Sequence, residues 1–193
     1  MTWPLVLASG SRYRAELLQR LHLPFTADAP QIDEAPLPGE SAAALCRRLA
    51  VAKARALAGR YPAHRIIGSD QVACFDDDII GKPGTEETAV AQLLRFSGRA
   101  VDFLTGLALL NSQTGGLQCD LVMFRVHFRL LTEDAVRRYV RIEQPLDCAG
   151  SFKSEGYGIT LFERLEGDDP TSLIGLPLIR LAGMLRQEGV PLP

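Results

Sequence analysis

The apolar residues of this chain fall into short unbroken runs, helical stripes and one alternating segment, and each spacing predicts an element. Leu5-Val6-Leu7-Ala8 is an unbroken run and reads as a first strand. Ser9-Gly10-Ser11 then supplies a tight turn and a helix N-cap, and Leu17, Leu18 and Leu21 share a face of the helix that follows. Leu23-Pro24-Phe25 ends that helix and opens a short second strand. Residues 29–40 are rich in proline and acids and read as a loop. Ser41 caps an alanine-rich helix running to about Gly59, with Leu45, Leu49, Ala52 and Ala56 as its stripe.

Ile66-Ile67-Gly68-Ser69 reads as a buried strand with Asp70 at its end, followed by Val72 to Phe75 and an acidic turn at Asp76-Asp77-Asp78. Thr85 caps a helix with Glu86 and Glu87 in its first turn and Phe96 at its close. Val101–Leu110 and Leu117–Leu131 are long strands joined by a hairpin turn over Asn111–Gly116. In the second of them Phe124, Val126 and Phe128 alternate with Arg125, His127 and Arg129, which predicts a sheet with one wet face. Thr132 caps a helix to about Arg141, and Leu176 to Glu188 forms an amphipathic helix. Early βα units and a later hairpin predict an α/β fold, a mixed central β-sheet flanked by helices, in a single domain over residues 1–193.

Composition narrows the function classes. A chain of 193 residues buries roughly 70% of its unfolded surface, so a sizeable core is expected. The net charge of -2 and the lack of interleaved aromatic and basic residues argue against a nucleic-acid partner. No apolar stretch approaches the length of about 20 residues that spans a bilayer. Met1-Thr2-Trp3-Pro4 has no basic region, and Leu5 to Ala8 is too short for a signal-peptide core, so a cytoplasmic protein with no membrane partner is expected. Cys46, Cys74, Cys119 and Cys148 show no metal-binding spacing and are expected to be small buried or half-buried residues.

Chemistry gathers at five places. Helix N-termini bind anions, and Ser9, Ser11 and Arg14 add hydroxyl and guanidinium donors to the first turn. Cations at a helix start are unfavourable unless an anion is present, although solvated arginines on a plain capped helix would read the same way. Asp70, at a strand end where α/β folds bind ligands, is followed by Gly81-Lys82-Pro83; a carboxylate and an ammonium there can hold a metal, a water and a phosphate, or form a surface salt bridge. Asp33-Glu34 can hold Mg²⁺ through one carboxylate or stand as a solvated loop. Lys53, among alanines, points across a cleft or into solvent. Small residues surround Lys153 and Glu155 in the run Cys148–Gly158, where backbone can approach a ligand closely. His22, His64 and His127 pair with no serine or cysteine, so covalent acyl chemistry is not favoured.

Taken in order, Leu7-Ala8-Ser9-Gly10-Ser11 with Arg14, Asp33-Glu34, Lys53, Gly68-Ser69-Asp70 and Gly81-Lys82-Pro83 resemble the Maf family of nucleoside triphosphate pyrophosphatases over nearly the whole chain. Tyr13, Gln71 and the run from Cys148 through Glu155 to Gly167 resemble the branch that hydrolyses 7-methyl-GTP. The family usually has proline where Arg12 stands.

The resemblance implies a Maf/ITPase-like fold. It also implies cleavage of the α–β phosphate bond with a divalent cation, Mg²⁺ or Mn²⁺. By motif, Asp70 would activate water, with Glu34 and Asp70 at the metal. Ser9, Ser11, Arg14, Lys53 and Lys82 would hold the triphosphate, and Tyr13, Gln71 and Glu155 would select the base. The same resemblance leaves room for dTTP and UTP as substrates, and for a regulator of septum formation and cell division. The sequence does not set the oligomeric state, and base rates alone leave a homodimer open.

Overall fold

In the computed structural model, which describes residues 4–76 and 78–193, the chain forms a seven-stranded mixed sheet with helices. Asp77 of the acidic turn and residues 1–3 lie outside the described residues. The elements run β1 (Leu5–Leu7), α1 (Arg12–Gln19), β2 (Phe25–Ala27), α2 (Ala42–Ala56), β3 (Arg65–Phe75), β4 (Asp78–Ile80), α3 (Glu86–Phe96), β5 (Ala100–Asn111), β6 (Leu117–Phe128), α4 (Glu133–Glu143), β7 (Phe162–Glu166) and α5 (Leu178–Gln187). The strand order is β2-β1-β3-β5-β6-β7, with β4 paired to β3.

Two compact units divide the chain, one comprising residues 1–71, 105–122 and 169–193, the other 72–104 and 123–168. In the first unit β1 pairs in parallel with β2 and with β3, Val6 standing opposite Thr26 and Ile66. Alternation along β1 explains its burial on both faces. Leu5 and Leu7 pack with Leu17 and Leu18 of α1 and Leu181 and Leu185 of α5, while Val6 and Ala8 pack with Ala50 and Ala54 of α2 and Leu57 beyond it.

Helix α2 rides directly on strand backbone. A Cβ at Gly68 would run into the Ala50 carbonyl oxygen, and one at Gly106 into that of Cys46. The two glycines therefore set how close α2 lies to β3 and β5. Gly68→Ala is expected to cost about 2 kcal/mol through forced separation of these layers, or roughly 4–8 °C in Tm for a chain of this size. A thermal melt equal to wild type would contradict the close packing.

In the second unit β3 pairs antiparallel with β4, and β6 with β7. Its core is aromatic. Phe128 lies 5.4 Å from Phe96, 5.7 Å from Phe152 and 5.4 Å from Phe162, and Phe75 and Phe103 extend the cluster. Phe124, Val126 and Phe128 are buried while Arg125 and His127 reach the wet face, as the alternation predicts.

Several expectations shift. The helix from Ser41 stops at Ala56 rather than Gly59, and β6 stops at Phe128 rather than Leu131. Asp70 is in mid-strand, not at a strand end, because β3 continues to Phe75 by pairing Ala73 with Ile80 of β4. It is the neighbouring β1 that ends earlier, opposite Ile67. Cys46 is buried and Cys74 and Cys148 are half-buried, but Cys119 is exposed on β6, and no disulfide joins described cysteines. Among the described residues no helix is long and apolar enough to cross a membrane.

Candidate active site

Alternation along β3 sorts its polar residues onto two faces. Gly68 and Asp70 share the face on which α2 lies, so the helix that Gly68 admits carries Lys53 over Asp70. Lys53 Nζ donates to Asp70 Oδ1 at 2.6 Å and pairs with Glu34 Oε1 at 2.9 Å. Lys53 is only 7% exposed and Asp70 8%, which excludes the surface-lysine reading. The side chain of Glu34 is 57% exposed and reaches inward from the 29–40 loop.

That loop is tied to α2 by Arg48. Its Nε donates to Glu40 Oε1 at 2.7 Å, and its Nη2 donates to the Ala35 carbonyl at 2.9 Å. Arg48 and the Leu37 N–H hold the Glu40 carboxyl down at about 2. Asp33 accepts the Ala35 N–H at 2.9 Å.

Ser69 and Gln71 point to the opposite face of β3. The buried Ser69 hydroxyl lies 3.0 Å from the Gly106 carbonyl and 2.9 Å from that of Gly175. Gln71 Nε2 lies within reach of Thr105 Oγ1 (3.1 Å) and of the carbonyls of Ser172 (2.7 Å) and Leu173 (3.1 Å). Its amide nitrogen is thus committed to the 170–175 segment. Asp169 anchors the start of that segment: its Oδ1 accepts from Thr171 and its Oδ2 accepts from the Ile179 N–H at 2.8 Å.

Arg14 joins the two sides. Ser11 caps α1 by accepting the Arg14 N–H at 3.4 Å, and the Ser11 N–H donates to Ser9 Oγ at 3.1 Å. The guanidinium donates through Nε to the Gly175 carbonyl at 2.8 Å and through Nη1 to Ser9 Oγ at 3.3 Å. Burial pushes Arg14 below its ordinary value, and the negative charges of Asp70 and Glu34 oppose that shift. The solvated-arginine reading therefore fails for Arg14, while Arg12 is exposed.

Tyr13 is half-buried. Its hydroxyl accepts from Arg12 Nη2 at 2.9 Å, and the Arg12 guanidinium lies 4.8 Å from its ring centre. Lys82, in the second unit, is exposed and makes no ion pair with a described residue. Glu155, in the same unit, is exposed and accepts from Ser154 Oγ at 3.3 Å. Lys153 is used internally: its Nζ donates to the Glu143 carbonyl at 2.8 Å, and Glu143 Oε2 accepts the Tyr157 N–H at 2.7 Å.

The first unit thus brings together Ser9, Ser11, Arg14, Glu34, Lys53 and Asp70: hydroxyl and guanidinium donors, two carboxylates and an ammonium. Such a set can bind an anion, hold a cation and position a water. The sequence profile described as Maf-like protein matches residues 4–188.

This chain belongs to the Maf-like protein family. A relative from Pseudomonas aeruginosa, named 7-methyl-GTP pyrophosphatase, is 60% identical over 189 residues, covering 98% of each chain. One of the same name from Chromohalobacter salexigens is 60% identical over 186 residues, covering 96% of each. Among solved structures, the Staphylococcus aureus Ham1 protein is similar with a TM-score of 0.52 over 96% of this chain and 99% of that one; at 13% identity the likeness concerns the fold alone.

Sequence reasoning within the family pattern missed Ser69, Thr105 and the Gly175 carbonyl. Ser69 sits inside the Gly68-Ser69-Asp70 motif, and strand alternation was the signal that could have separated its role from that of Asp70.

Proposed function

We propose that this chain is a cytoplasmic nucleoside triphosphate pyrophosphatase that converts 7-methyl-GTP to 7-methyl-GMP and diphosphate, removing a modified nucleotide before it enters nucleic acid. The carrying observation is the convergence of Asp70 and Glu34 on a single cationic centre, Lys53 Nζ. The names of the 60%-identical relatives point the same way.

In this reading Asp70 and Glu34 hold a divalent cation, Mg²⁺ or Mn²⁺. Two carboxylates on one point suit a hard cation whose remaining ligands are water and phosphate oxygens. When bound, the cation neutralises charge on the phosphates and favours attack at phosphorus. Asp70 takes the proton of the attacking water. Ser9, Ser11 and Arg14 bind the phosphate chain: the α1 N-terminus offers N–H groups, and the fixed guanidinium adds a directional donor. Lys53 stabilises the leaving diphosphate, and the family motif assigns Lys82 to phosphate as well.

Base choice is assigned to Tyr13 and Glu155. A 7-methylguanine ring is cationic and stacks on an aromatic face. A carboxylate accepts from its N–H edge and opposes its charge. A pyrimidine offers neither. Gln71 contributes by holding the 170–175 segment whose Gly175 carbonyl fixes Arg14.

Tyr13→Ala and Glu155→Gln are each expected to lower the ratio of 7-methyl-GTP to GTP turnover by roughly tenfold, the scale of one lost charge-assisted contact. Relative rates across nucleotides that stay unchanged in both variants would remove the base-reading assignment.

A further inference from the structure

We infer that Lys53 is a resident counter-cation: it occupies the cation position between Asp70 and Glu34 and must release both carboxylates before a divalent cation can take them. The inference rests on the reading above in which those two carboxylates hold the cation.

Asp70 is buried, and an uncompensated buried carboxylate is costly. Lys53 Nζ compensates it at 2.6 Å while reaching Glu34 at 2.9 Å. An ammonium and a divalent cation cannot both stand within about 4 Å of each other and of the same two oxygens without strong repulsion. Helix α2 cannot retreat, because Gly68 and Gly106 seat its backbone against β3 and β5. The lysine side chain, with its flexible four-carbon stem, is the part that can move. Once displaced it needs a new anion, and a phosphate chain supplies one.

Lys53 therefore couples two binding events. A divalent cation alone binds weakly, because it must break two ion pairs. Pyrophosphate accepts the displaced ammonium and strengthens cation binding, and by linkage the cation strengthens pyrophosphate binding by the same factor.

Calorimetric titration of the full chain with Mn²⁺, with and without pyrophosphate, tests this. Lys53→Met removes the competing charge at similar length. It is expected to bind Mn²⁺ alone roughly tenfold or more tightly than wild type, and to lose most of the enhancement by pyrophosphate. Lys53→Arg, which keeps the charge, is expected to stay near wild type. Equal Mn²⁺ affinity in wild type and Lys53→Met, abolished in both by Asp70→Asn, would overturn the inference and leave the metal assignment standing. Affinity indifferent to Asp70→Asn would overturn both. Should Lys53→Met not fold, the lysine ammonium resonance of wild type gives the same answer by NMR. It is expected to shift on adding Mg²⁺, and Mg²⁺ binding without such a shift would overturn the proposal.

Discussion

Replacing Asp70 by asparagine is expected to slow pyrophosphate release by roughly 10³-fold, within the range for loss of a general base. The amide keeps the shape of the side chain and can accept from Lys53, but it cannot take a proton from water. It also withdraws one of the two charges that converge on Lys53 Nζ, so Lys53 stays paired with Glu34 alone. The fold is expected to hold, at a cost in Tm from leaving the buried Lys53 ammonium with the largely exposed Glu34 as its partner. Asp70 lies on β3 with its backbone in the sheet, and the packing of α2 depends on Gly68 and Gly106 rather than on the carboxylate. The check is initial-rate measurement at saturating nucleotide beside a thermal melt. A variant within tenfold of wild type would show that Asp70 is not the base.

Arg14→Lys is the second large effect. It preserves the charge and is expected to lower kcat/KM by roughly 10²-fold, the scale for losing one fixed donor at a site of developing negative charge. The reason is geometric. Arg14 spends Nε on the Gly175 carbonyl and Nη1 on Ser9 Oγ, which holds the planar fork in one orientation. A lysine ammonium has no fork and cannot serve Gly175, Ser9 and a phosphate at once. Burial lowers the Arg14 guanidinium from its ordinary value, opposed by the Asp70 and Glu34 charges. A lysine in the same place titrates far more readily, so the variant's activity is expected to fall off on the acid side of the wild-type alkaline limit. Steady-state kinetics against pH measure both effects. A variant within threefold of wild type across the range would show that Arg14 contributes charge alone.

Much of this site was legible in the chain because its signals were local. Arginines crowding a helix start singled out the turn in which Arg14 meets Ser9 and Gly175, and Ser11 followed by a helical pattern announced the cap. Lys53 was the opposite case. Its alanine neighbours favoured solvent over the cleft, since the decision depends on Gly68 and Gly106 letting α2 sit on the sheet, and those residues are far from it in sequence. Ser69, Thr105 and Gln71 act on the carbonyls of residues 172–175, acceptors that any residue type could supply, so no side-chain pattern marks them.

The strands tell the same story. Phe128 and its alternating neighbours declared β6, whereas β7 reads Phe-Glu-Arg-Leu-Glu, exposed over most of its length and held by backbone pairing to β6. β4 is three residues long, too short for any period to show. Asp70 reads as a strand end because the apolar run stops at Ser69 and a carboxylate follows, yet pairing with β4 carries β3 onward.

The most direct measurement is pyrophosphate release by the wild-type chain with Mg²⁺ or Mn²⁺ over a panel of 7-methyl-GTP, GTP, dTTP, UTP and CTP. The account predicts 7-methyl-GTP as the preferred substrate, with pyrophosphate and the monophosphate formed in equal amounts. Faster turnover of dTTP or UTP, or release of orthophosphate in place of pyrophosphate, would contradict it.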